Sequence, residues 1–153
     1  MVWPTPPSVL KQAFSRGTVK PDSNPLSISE GNGDGRVSVE LLDGILRVSV
    51  VGDPPGECLV TAFRRGVAAG WITPSMPALV DLSRFIGSVD WAAVREVRTL
   101  APWGTGSSGP SRVAYMVRNS MFGTLILAAS ALFAMAHHRA FTNETDALAW
   151  LRS

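Results

Sequence analysis

A single cysteine, Cys58, stands in 153 residues. Its solitude excludes an intrachain disulfide and any metal site built from several thiolates, and it fits a reducing compartment. Acid is missing from one long interval. No Asp or Glu lies between Glu96 and Glu144, a stretch that holds Arg98, Arg112, Arg118, His137, His138 and Arg139. The interval is locally cationic although the formal charge of the chain is only +2, which brings an anionic membrane surface or a phosphate-rich partner into view. These bases are far sparser than a nucleic-acid-binding stripe, so nucleic acid is set aside as a partner. Long hydrophobic runs are also absent. The charge-free segment from Met121 to Ala136 has sixteen residues, short of the roughly 20 that span a bilayer. Met1 to Lys20 contains no acid and three bases but lacks the apolar stretch of a secretory signal. A cytoplasmic protein, in peripheral contact with a membrane at most, is the expectation.

What is present suits one compact domain. Hydrophobic residues make up 46% and charged residues 17% of the chain, enough for a single core and too little length for two. Residues 1–35 carry Pro4, Pro6, Pro7, Pro21 and Pro25 and then Gly31-Asn32-Gly33-Asp34-Gly35, a composition read as a disordered tail and linker. The folded domain is expected over residues 36–153. Val37, Val39 and Leu41 alternate with polar residues, Asp43-Gly44 marks a hairpin turn, and Ile45 to Val51 forms the return strand. Leu59, Ala62, Phe63, Gly66 and Val67 then recur at helical spacing, and the run Pro77 to Leu82 is apolar on both faces, as in a buried central strand. Asp90 is placed to cap a second helix bearing Trp91, Val94, Val97 and Ala101. A strand at Val113 to Val117, a third helix to about Ala136, a short strand at Arg139 to Phe141 and a closing helix capped by Thr142 or Asn143 complete the chain. The predicted order is β-β-α-β-α-β-α-β-α, an α/β domain whose mixed sheet is joined by helical crossovers.

Three segments carry a family resemblance: Ala78-Leu79-Val80-Asp81-Leu82-Ser83, Arg112-Val113-Ala114-Tyr115-Met116-Val117, and Ala140-Phe141-Thr142 leading to Asp146-Ala147-Leu148-Ala149-Trp150-Leu151. Together they resemble the SpoIIAA-like branch of the STAS fold, sometimes grouped with lipid-binding Sec14-type domains, over about residues 36 to 152. The resemblance implies a STAS-like domain. In anti-sigma-factor antagonists of that fold a serine after the central strand is phosphorylated. The corresponding region here is Ser83 to Asp90, where Ser88 is the candidate phosphosite, although the Asp-Ser-Ser-Gly pattern is absent. The SpoIIAA-like branch implies apolar ligands or membrane association instead.

On a helical wheel Met121, Phe122, Leu125, Ile126, Leu132, Phe133 and Met135 share one broad face, with Gly123, Leu127, Ser130, Ala131 and Ala134 opposite. A helix apolar all round is normally buried, so the large face packs on the sheet and the small face lies under a neighbour or a dimer mate. The functional alternative makes this helix the wall or lid of an apolar pocket, with Arg118 and Arg139 at its ends meeting anionic headgroups.

Other signals are weaker. Gly104-Thr105-Gly106-Ser107-Ser108-Gly109 matches GxGxxG but precedes a strand instead of a helix, so it forms no phosphate cradle. Glu30 to Gly35 imitates the start of a calcium loop, yet Leu41 stands at the twelfth position. His137 and His138 read as a pair at a helix C-terminus, Asp81 as a cap for the next turn, and Cys58 as a small buried side chain or a thiol with lowered pKa at a helix start.

These readings converge on a non-enzymatic module, without a cofactor, that binds a small apolar molecule or lipid or rests on a membrane surface. Trp91, Phe122, Leu125, Ile126, Leu132 and Phe133 are its candidate ligand-binding residues, and Arg118 and Arg139 its candidate membrane contacts. The alternative is a regulatory protein-interaction module of the anti-sigma-factor-antagonist type, acting through Ser88, its loop and the second helix. Homodimerisation through the third helix is compatible with either.

Overall fold

A computed structural model describes residues 26–70, 72–73, 75–101, 111–118 and 123–153. Strands β1 (Leu26–Gly31), β2 (Gly35–Leu42) and β3 (Ile45–Gly52) open the domain. Helix α1 (Gly56–Ala68), β4 (Ala78–Phe85), α2 (Trp91–Leu100), β5 (Arg112–Met116), α3 (Gly123–Leu132), β6 (His137–Phe141) and α4 (Glu144–Arg152) follow. The six strands lie side by side in chain order in one sheet. β1, β2 and β3 pair antiparallel, and β3 through β6 run parallel. The architecture is the expected α/β domain with one strand more at its start.

That added strand revises the boundary set at residue 36. Leu26, Ile28 and Glu30 pair with Leu41, Val39 and Val37, and Ile28 is buried. The glycine-rich run is the β1–β2 turn, not a linker. Asn32 Oδ1 accepts from the Asp34 and Gly35 amides at 2.7 and 3.3 Å, a side-chain turn that lets glycines reverse the chain. The β2–β3 hairpin forms at Asp43-Gly44 as read, both residues having positive φ, 54° and 76°, as a tight type I′ turn requires.

Each face of the sheet has its own core. On one, Val37, Val39, Leu46, Val48, Val113 and Tyr115 pack with Phe63 of α1, Val97 of α2 and Ala129 of α3. On the other, Ile45, Leu79 and Ala114 pack with Ala147 and Leu151 of α4. β4 and β5 therefore feed both cores, which is why their sequences are apolar at successive positions. Arg47–Glu144 at 2.7 Å ties β3 to α4, Arg64–Glu96 at 2.8 Å ties α1 to α2, and Arg65–Glu30 ties α1 to β1.

Two of the predicted caps form, and Asn119 and Ser120, expected to cap the third helix, lie outside the described residues. Asp90 Oδ1 accepts from the Ala93 amide at 3.1 Å, and Asn143 Oδ1 from the Asp146 amide at 3.1 Å. The third helix is shorter than read, ending at Leu132. His137 and His138 consequently begin β6, where neighbouring side chains point to opposite faces: His137 is exposed and His138 turns inward.

Candidate functional site

Between the sheet and helices α1, α2 and α3 lies a cavity of about 190 Å³. Val48, Val80 and Val113 form part of its floor, Leu59 and Phe63 of α1 one wall, and Trp91, Val94 and Val97 of α2 another; Ala129 and Phe133 close the α3 side. Its exposed lining residues are Ser88 and Asp90, so it opens where Pro54-Pro55-Gly56 meets the segment from Ser88 to Trp91. Those two loops interlock. A side chain at Gly87 would collide with the Asp53 carboxylate, and one at Gly56 with that of Asp90. The rim lies at the carboxyl ends of the parallel strands β3 and β4, the usual location of ligand sites in open α/β sheets.

One polar pair interrupts the apolar lining. His138 Nε2 lies 2.9 Å from the Phe133 carbonyl, and Nδ1 lies 2.9 Å from the Tyr115 hydroxyl. A carbonyl only accepts, so Nε2 carries the proton and Tyr115 O–H donates to Nδ1. The rings stack at 5.8 Å. Burial pushes the Tyr115 phenol up and the His138 imidazole down, the latter helped by His137 and opposed by the Phe133 bond. Both groups are held neutral, and the pair pins the chain just past α3 to the sheet.

The sequence-predicted site residues scatter. Trp91 and Phe133 reach the cavity from opposite sides. Ile126 packs against the core beside it, and Leu132 is half-buried without lining it. Phe122 lies outside the described residues, and Leu125 falls within α3 with its side chain outside them. Arg118 and Arg139 are exposed, and neither lines the cavity. Arg139 sits level with Ala114, its guanidinium over the Phe141 ring at 5.2 Å, while Arg118 follows the end of β5. Ser88 is exposed at the cavity rim. Tyr115 and His138 were missed: the one tyrosine and one of two histidines looked like strand and helix-end residues, and only the strand pairing places them side by side.

The remaining candidates resolve locally. Asp81 accepts from the Ser83 amide at 2.9 Å and its hydroxyl at 2.6 Å, but it lies within β4, where the pairing with β3 shifts register, and so caps no turn. Cys58 lacks the lowered pKa its helix-start position suggested. Burial, then the Glu57 and Glu30 carboxylates, push the thiol up. The GxGxxG segment lies outside the described residues. Among the described residues no group of three or more His, Cys, Asp or Glu is arranged to hold a metal ion, and no helix is long and apolar enough to cross a membrane.

This architecture is the SpoIIAA-like fold. Similar solved structures include an uncharacterized DUF3478-family protein with a SpoIIAA-like fold from Shewanella loihica, 22% identical, with a TM-score of 0.52 over 88% of this chain and 99% of that one. An anti-sigma factor antagonist from Mycobacterium paratuberculosis is 20% identical, with a TM-score of 0.48 over 89% of this chain and 100% of that one. No protein-family model and no curated protein matches the sequence.

Proposed function

We propose that this chain is a non-catalytic binding module that takes a small apolar molecule into the cavity between its sheet and helices α1 to α3. The cavity itself carries the reading: about 190 Å³ walled almost wholly by hydrocarbon and opening at the Ser88 rim. An engineered apolar cavity of about 150 Å³ stays dry and binds benzene, so this one suits a one- or two-ring molecule or a short chain. Leaving such a space empty costs about 24 cal/mol per Å³. A filling ligand recovers about 4–5 kcal/mol, a Kd on the order of 1 mM for a small probe. The volume is too small for the paired chains of a membrane lipid, and neither Arg118 nor Arg139 lines the cavity, so membrane contact is not part of the proposal.

Native mass spectrometry of the purified protein, followed by organic extraction, tests this reading. A retained apolar molecule supports it. A protein that is empty and also fails to bind toluene at millimolar concentration contradicts it.

A regulatory protein-interaction module is the second reading, favoured by the loop after β4. Ile86 is 71% exposed there, Ser88 is exposed beside it, and both precede the α2 N-terminus. A large apolar side chain next to a hydroxyl at a helix start suits a partner surface. Phosphoserine at Ser88 in native protein, with partner capture lost in Ser88→Asp, would favour this reading; capture unchanged by Ser88→Asp argues against a switch.

A further inference from the structure

Ser88, Asp90 and Trp91 supply polar side chains at the rim; away from it, Tyr115 and His138 are the polar side chains that line the cavity among the described residues. Both imidazole nitrogens of His138 are engaged, Nε2 with the Phe133 carbonyl and Nδ1 with the Tyr115 hydroxyl. The phenol proton is therefore spent, and what Tyr115 retains is lone-pair capacity on its oxygen. Of the described ionisable lining residues, Asp90 is at the rim with one carboxylate oxygen on the Ala93 amide, and Tyr115 and His138 complete the set. Among the described residues no lysine or arginine lines the cavity. Away from the rim, the described lining offers an acceptor and no positive charge.

We infer that the cavity selects a small apolar molecule bearing one hydrogen-bond donor, such as a phenol, an indole or an alcohol, whose O–H or N–H donates to the Tyr115 oxygen. The inference rests on the ligand-binding reading above and adds to it the chemistry of the ligand. A carboxylate set beside Tyr115 would find its proton already donated to His138 and no counter-charge among the described lining residues. A ketone or an ether brings a second acceptor to a site that already has one. A pure hydrocarbon fits but leaves the Tyr115 oxygen half-used. The walls supplied by Phe63, Phe85, Trp91 and Phe133 favour a flat ring in the space.

Toluene, p-cresol and 4-methylanisole share one ring and differ in polar group, so they separate the alternatives. Each is titrated into the full chain, into Tyr115→Phe and into Tyr115→Phe/His138→Leu, with affinity read from methyl chemical shifts. In a wholly apolar cavity the hydroxyl is a burden and toluene binds more tightly. The Tyr115 acceptor reverses that order, and p-cresol is expected to bind about fivefold more tightly than toluene. Tyr115→Phe leaves His138 Nδ1 without its donor, so the preference for p-cresol should persist in that variant and be lost in Tyr115→Phe/His138→Leu, where the order should return to toluene first. 4-Methylanisole, which accepts but cannot donate, should bind no better than toluene to the wild-type chain, a comparison that needs no variant. If p-cresol binds no more tightly than toluene, or 4-methylanisole matches p-cresol, the inference is overturned and the cavity reading stands. If no probe binds, the cavity reading itself fails.

Discussion

Tyr115 and His138 keep each other neutral, and that has a consequence for stability. In the unfolded chain an imidazole takes up its proton near 6.5, whereas His138 in the fold does so only at lower pH. Between those two values the unfolded state binds more protons, so stability is intact above about pH 6.5 and declines as pH falls below it. Urea titrations at about pH 7.5 and about pH 5.5 should show the loss, and His138→Gln should flatten it. At the other end, the unfolded phenol ionises near 10.0 while Tyr115 stays protonated, so stability should also decline as pH rises through that value. Cys58 gives a kinetic counterpart: with its thiol pushed up, it should react with iodoacetamide at neutral pH more slowly than free cysteine. Sequence reading reached single residues only where their chemistry is local. Asp90, Asn143 and Asp43-Gly44 act on atoms within three positions of themselves and were legible. The Tyr115–His138 pair joins two strands, and nothing within either segment announces it.

At the scale of elements, the caps and the first strand make separable predictions. Asp90→Ala removes the acceptor of the Ala93 amide and should cost about 1 kcal/mol in chemical denaturation. The α2 N-terminus also forms the cavity rim, so the same substitution should weaken toluene binding. β1 supplies buried Ile28 and the Glu30 partner of Arg65. A chain beginning at Asn32 should therefore have a lower denaturation midpoint than one beginning at Pro25; equal midpoints would show that the added strand contributes nothing. The signal for β1 was present in the alternation of Leu26, Ser27, Ile28 and Ser29. Pro25 on one side and the glycine run on the other masked it. The third helix was read as reaching Ala136 because its hydrophobicity continues that far, but burial does not. Met135 is 63% exposed, and the chain leaves the helix after Leu132 so that β6 can pair with β5.

The molecule as a whole creates what no segment contains. The opening hairpin and the parallel strands joined by helical crossovers were legible in the sequence, whereas the strand order and the two cores come from the assembled sheet. The cavity does too. It is the space left when α1, α2 and α3 rest on a sheet that presents several valines, among them Val48, Val80 and Val113, and its volume depends on packing among all of them. The wheel of α3 ranked its large residues as pocket walls, yet small Ala129 faces the space alongside Phe133. The most direct measurement is a toluene titration of methyl-labelled full-length protein. The account predicts saturable shifts at Val48, Leu59, Val80 and Val94, which line the cavity, with Ile45, Leu79 and Leu151 on the α4 face unmoved. No shifts up to the solubility limit of toluene, or shifts confined to the α4 face, would contradict it.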